Sequence, residues 1–260
     1  MSWPLLLRED RGPVAVLTLN RPDRRNALSR ALLDVLNDAL GQLEFEPGVR
    51  AVVLTGSGPT FCAGMDLKEA ADAGTGTEAE ASAVDDARAI ADLIDAAHKH
   101  PRPTIAALQG DALGGGAGLA TACDFVLMAD SARIGYPEVR RGVVAAIVLH
   151  DLARQIGDRR ARQLLLTGEP IDSATAERWG LVNRVVPASE CLNEAIALGQ
   201  SLAAGAPRAL EATKRLLDEA TRRPDGLRGA AAISAAIRVS EEADEGLRAF
   251  LEKRKPSWDH

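Results

Sequence analysis

The stretch "DALGGGAGLA" (residues 111–120) places glycine at 114, 115, 116 and 118 and then runs into small apolar residues. Glycine costs backbone entropy, so such a cluster implies that some group comes very close to the main chain. A nucleotide phosphate is the first candidate, but GxxxxGK followed by Ser or Thr needs a lysine that is absent. The dinucleotide pattern GxGxxG fails too, because Leu119 stands where the third glycine would follow Gly114 and Gly116. The acid expected about 20 residues later is also missing. Two readings remain open. The glycines let a helix pack tightly on a strand, or they present peptide N–H groups to an oxyanion at a helix N-terminus. A second N–H would then come from "TFCAGMDLKEA" (residues 60–70), which reads as a strand end, a tight turn at Gly64 and a helix start.

The surrounding pattern is α/β. "VAVLTLN" (14–20) and "RAVVLTG" (50–56) are β-branched and aliphatic and end in turn formers, as strands do. Between them Leu32, Leu33, Leu36, Leu40 and Leu43 recur at helical spacing, with Ser29 as N-cap. Residues 70–82, small, polar and aperiodic, read as a mobile loop. A helix over 84–100 stops before Pro101 and Pro103. "PTIAALQG" and "DFVLMAD" read as buried strands flanking the glycine loop and a short helix. From Val143 onward helices dominate, at 143–157, 159–168 and 173–180, each closed by a glycine suited to the C′ position. "LVNRVV" (181–186) reads as one short strand before the last helices, from Ala188 to about Lys253.

With 260 residues, 46% of them hydrophobic, the chain can bury a sizeable core. A net charge of −6 and interspersed arginines exclude a nucleic-acid footprint. Cys62, Cys123 and Cys191 form no CxxC pair, which fits a reduced, cytoplasmic protein without a metal site. The N-terminus has too short an apolar stretch for a signal peptide, and no run reaches the roughly 18 apolar residues of a membrane helix. His98 and His100 lie two apart and share no helix face, His260 is terminal, and His150 sits in an apolar run beside Asp151.

Five blocks, in register from about residue 12 to the C-terminus, resemble the crotonase superfamily, the enoyl-CoA hydratase/isomerase family. They are "NRPDRRNALS", "VVLTGSGPTFCAGMDLKEA", "LQGDALGGGAGLATACDFVLMADSARIGYPEVRRG", "LLLTGEPIDSATAERWGLVNRVVP" and "LRAFLEKRKPSWDH". The resemblance implies a spiral of ββα units over residues 1–200. It implies a helical region over 201–260 that mediates trimers or dimers of trimers. The ligand it implies is an acyl-CoA thioester, so coenzyme A arrives with the substrate and no separate cofactor is needed. The thioester oxygen would accept from the N–H groups of Met65 and Gly115. Arg24, Arg25, Ala63, Asp66, Leu67, Gly114 and Gly118 map onto substrate-binding positions. Phe250 and Lys253 map onto positions that complete a CoA site across a subunit interface.

Hydratases of this family use two glutamates, a general acid–base pair. One maps onto Glu138, which is present; without the family it reads as an ordinary acid in a first helical turn after Pro137. The other maps onto Gly118, which has no side chain. Migration of a double bond from the 3,4 to the 2,3 position needs only one base, and family isomerases resemble this chain in carrying a non-acid at the Gly118 position. The reading is therefore a Δ3,Δ2-enoyl-CoA isomerase with Glu138 as its acid–base group. The alternatives are a hydratase with a substitute acid, a catalytically weak CoA-binding paralogue, and a nucleotide-dependent oxidoreductase. Asp111 is the first substitute to consider, then Glu69, Asp72 and Asp151. Alanine at 145 and 146, where dehalogenases and decarboxylases of the family carry acids or tyrosines, argues against those chemistries.

Overall fold

The computed structural model describes residues 4–72, 77–222, 245, 249, 252 and 254–257. A hairpin opens the chain: β1 (Leu6–Arg11) pairs antiparallel with β2 (Val14–Leu19) around Gly12. The sequence pattern concealed β1 because it is an edge strand whose residues are nearly all exposed, without apolar alternation. Helix α1 (Arg30–Glu44) follows, capped by the Ser29 hydroxyl, which accepts from Leu32 N–H at 3.3 Å. Its five leucines at helical spacing are all buried.

β3 (Ala51–Gly56) is buried throughout, as expected for a parallel strand covered on both faces. β4 (Thr60–Cys62), α2 (Leu67–Asp72) and α3 (Thr77–Lys99) come next. The loop expected over 70–82 is thus largely helical among its described residues. Thr77–Ser82 carries alanine and glutamate, whose helix propensity outweighs the missing apolar periodicity. β5 (Thr104–Leu108), β6 (Asp111–Leu113) and α4 (Gly115–Ala122) enclose the glycine-rich stretch. β7 (Phe125–Ala129) and β8 (Arg133–Gly135) lead to two 3-10 turns, Pro137–Arg141 and Ala146–Val148.

The helix expected to start at 143 starts instead as α5 (Leu149–Ile156). Gly142, with φ +71°, ends the first 3-10 turn, and the β-branched Val143 and Val144 follow it outside any helix. α6 (Asp158–Thr167), β9 (Ile171–Asp172), α7 (Ser173–Trp179), β10 (Arg184–Val186), α8 (Cys191–Ala203) and α9 (Pro207–Arg222) complete the described elements. Gly168 and Gly180 end α6 and α7 in the left-handed region, the C′ role read for them. Most of the helical stretch expected from 223 to 253 lies outside the described residues.

Two sheets result. The larger runs β1-β2-β3-β5-β7-β10 and is parallel from β2 onward; the smaller runs β4-β6-β8-β9. The pairs β3/β4, β5/β6 and β7/β8 each lay one strand in either sheet before the chain crosses back through helix or 3-10 turn. This is the spiral of ββα units, and it stacks the loops after β4, β6 and β8 on one side. The site is built from those three loops.

Candidate active site

The glycines of α4 bear on both readings left open by the sequence. A Cβ on Gly116 would stand 2.5 Å from the Cys62 carbonyl oxygen and 2.7 Å from Cys62 Sγ, so α4 is pressed against β4. Gly64 has φ +84°, and a Cβ there would stand 2.7 Å from the Leu113 oxygen and 3.1 Å from Gly115 N. The turn after β4 and the start of α4 are therefore in backbone contact.

This contact brings two amides together. Leu28 N–H donates to Gly64 O (2.8 Å) and Asp66 N–H donates to Leu28 O (3.1 Å). Neighbouring amides of an extended segment point opposite ways, so Met65 N–H faces away from Leu28. Met65 N lies 3.9 Å from where a Gly115 Cβ would be. Gly115 opens α4, and its N–H is one of the helix-end donors without an intrahelical partner. Among the described residues neither amide has a recorded acceptor, and both residues line one cavity of about 350 Å³.

Glu138 reaches the same cavity from the turn after β8. Its Oε1 lies 3.0 Å from the position of a Cβ on Gly114, and its buried Oε2 has no hydrogen-bond partner among the described residues. Burial raises its pKa above the usual carboxylate value, against its own backbone amide and the Arg141 charge. A carboxylate held half-dry with one oxygen unbonded is suited to taking and returning a proton. Apart from Asp86 and Arg141, the remaining wall is apolar, with Ala83, Ala87, Ile90 and Ile94 from one stripe of α3 and Val143, Val144, Ile147 and Val148 from the segment before α5.

A second, polar cavity of about 260 Å³ shares Ala63, Met65, Leu67 and Arg141 with the first. Arg24, Arg25 and Lys68 line it with Asp23 and Asp66. Arg25 and Asn26 both adopt left-handed φ, 52° and 53°. Asn26 is buried and holds this strained turn by donating to Ser57 O and Thr60 O while accepting from Arg21 N–H. The Asp66 carboxylate faces Arg21 at 2.9 Å. Burial pushes its pKa up, but the Arg21 guanidinium and the Glu69 and Lys68 amides outweigh that and hold it low. Phe250 and Lys253 lie outside the described residues.

Gly118 does not line the cavity. It is buried, and a Cβ there would stand 2.6 Å from Val148 Cγ1 and 2.9 Å from Ile94 Cδ1. The substitute acids proposed from sequence are occupied elsewhere. Asp111 accepts from Arg133 N–H (2.8 Å) and Glu69 from Arg30 N–H (3.0 Å); Asp151 pairs with Arg154 (3.6 Å). None of the three lines the cavity, and the side chain of Asp72 is outside the described ones. One acid in the wall escaped the sequence reading. Asp86, on the same α3 stripe, lines the cavity with both oxygens bonded by the Arg30 guanidinium, at 2.5 and 3.0 Å. Its spacing from Ile90 and Ile94 was the available signal. His98 pairs with Asp218 (3.0 Å) and His100 is buried against Leu40 O and Arg102, both away from the cavity.

The fold and this cavity define a member of the crotonase superfamily. The profile of the family "Enoyl-CoA hydratase/isomerase" matches residues 9–260, and the chain belongs to that family. It is 44% identical over 258 residues to the "Putative enoyl-CoA hydratase" of Thermus thermophilus, covering 97% of this chain and 100% of that protein. It is 36% identical to the "Enoyl-CoA isomerase/hydratase fer4" of Mycosarcoma maydis, over 92% of this chain and 90% of that protein. The crystal structure of an enoyl-CoA hydratase from Bacillus anthracis is similar at a TM-score of 0.92 and 33% identity, covering 98% of this chain and 99% of that one. The chain is therefore an acyl-CoA enzyme of the hydratase/isomerase family. Among the described residues no helix is long and apolar enough to cross a membrane.

Proposed function

We propose that the chain isomerises 3-enoyl-CoA to 2-enoyl-CoA with Glu138 as its single acid–base group. The observation that carries this reading is the unbonded Glu138 Oε2 in a cavity that Gly118 does not reach. The thioester oxygen accepts from Met65 and Gly115 N–H. Glu138 removes an α-proton, and the C–H electron pair passes into a dienolate whose oxygen charge the two amides and the α4 dipole hold. The protonated Glu138 then returns the proton to the γ-carbon. The π electrons shift to the 2,3 position, and the carbonyl re-forms. No water is consumed. The phosphates of CoA lie against Arg24, Arg25, Lys68 and Arg141 in the polar cavity, and the acyl chain enters the apolar one. Residues 201–260 carry assembly into a trimer or dimer of trimers.

The names of the relatives favour a second reading, hydration, and fer4 carries both activities in its name. In this chain a hydratase would need Asp86 as its second acid, and the bidentate Arg30 pair argues against that. The test is to incubate purified protein with 3-hexenoyl-CoA and follow the ultraviolet absorbance of the conjugated thioester. The absorbance rises under the proposed function. A flat trace, with CoA-ester binding intact by calorimetry, overturns it.

A further inference from the structure

We propose that Val148 and Ile94 set the reaction type, by closing the space beside Gly118 against both water and a second carboxylate. The direction of the effect rests on the isomerase reading. Both side chains line the cavity and both are nearly buried, Val148 at 8% and Ile94 at 9% exposure. They come from different elements, the end of the 3-10 turn Ala146–Val148 and the C-terminal part of α3, and they meet over Gly118. Ile94 offers only its flexible Cδ1 end at 2.9 Å. Val148 offers Cγ1 at 2.6 Å on a β-branched side chain with little rotamer freedom.

A water molecule needs room and two to four polar partners. Polar groups around Gly118 are already committed to each other. Thr121 Oγ1 donates to Ala117 O (2.9 Å) or Gly118 O (3.3 Å) and meets Tyr136 Oη at 3.3 Å. The wall that faces the cavity at this point is hydrocarbon. The missing glutamate is therefore only part of the difference from a two-glutamate site, because the space it would use has been filled.

The test compares Gly118→Glu, Ile94→Val/Val148→Ala and the combined triple variant. In a working pair the introduced carboxylate takes a proton from water as the water oxygen bonds to the β-carbon. The π electrons move into the enolate, and protonated Glu138 delivers a proton to the α-carbon. Gly118→Glu alone gains no hydration of 2-enoyl-CoA, because its carboxylate has no water to hold. The triple variant hydrates at least about 10²-fold faster than Gly118→Glu, the lower range for a placed acid–base group. Equal hydration by Gly118→Glu and the triple variant overturns the proposal, and so does a folded triple variant with no gain.

A second readout needs neither isomerisation nor the triple variant to fold. Exchange of the α-protons of butyryl-CoA with D2O, followed by mass spectrometry, requires only the base and the oxyanion amides. Ile94→Val/Val148→Ala lets water into the cavity beside Gly118, where it can trade protons with Glu138, and raises this exchange several-fold over wild type. An unchanged exchange rate overturns the proposal. Absence of isomerisation by the wild type would instead refute the proposed function, while the hydration and exchange comparisons between variants could still be made.

Discussion

Glu138→Gln removes the proposed proton acceptor while keeping the shape of the side chain. Among the described residues no other acid in the cavity is positioned to replace it: Asp86 is held by Arg30, and Asp111 lies outside. The loss should therefore span the full range of a general base, about 10²–10⁴ in kcat. This corresponds to about 2.7–5.4 kcal/mol at 1.36 kcal/mol per tenfold. The same burial that leaves Oε2 unpaired raises the Glu138 pKa above 4.5, so the catalytic base is lost as pH falls through a value above that of an ordinary glutamate. The linked stability has the opposite course. A carboxyl with a raised folded pKa favours the native state fully below 4.5 and loses that contribution as pH rises through the folded value. Glu138→Gln should accordingly melt no lower than wild type at neutral pH. The assay is kcat/KM against pH for both proteins, with melting curves alongside. Retention of more than a tenth of the activity, or an acid limb at or below 4.5, would refute the assignment of Glu138.

Asp86→Asn should change isomerisation by less than about tenfold, since this acid is held by Arg30; a loss on the scale of about 10²-fold or more would make Asp86 a reacting acid. Gly116→Ala forces a Cβ to 2.5 Å from a backbone oxygen, and urea titration should show a loss of about 1–3 kcal/mol, typical of overpacking. His100 is buried, its pKa lowered below 6.5 first by that burial, so the unfolded chain binds its proton more readily. Stability should fall as pH drops below 6.5, and His100→Gln should show a shallower fall; parallel curves would contradict this.

Much of the site was legible because its parts are backbone features that leave a mark in composition. Gly64 and Gly116 are glycines for reasons of contact, and their two stretches marked where backbone donors could meet; the family resemblance, not their spacing, assigned those donors to Met65 and Gly115. Glu138 was legible only through the register of the family resemblance, since a glutamate after proline in a first turn is otherwise unremarkable. The closure over Gly118 was not legible. Val148 belongs to an apolar run that reads as ordinary helix, and its partner Ile94 is 54 positions away in sequence number, from 94 to 148. Asp86 was hidden for a similar reason, because its role depends on Arg30, a pairing across 56 residues that α1 and α3 create by packing together. β1 and the start of α3 were missed where edge exposure and helix propensity, rather than apolar periodicity, govern the backbone.

The ratio of two specificity constants on a single preparation tests the single-base site most directly. Purified protein is given 3-hexenoyl-CoA and 2-hexenoyl-CoA separately, and kcat/KM is measured for isomerisation and for hydration. With Glu138 alone in a cavity closed at Gly118, isomerisation should exceed hydration by about 10²-fold or more, the contribution of the absent second acid. Hydration at a comparable rate would mean that a second acid and an ordered water act in this cavity, and the single-base account would be wrong.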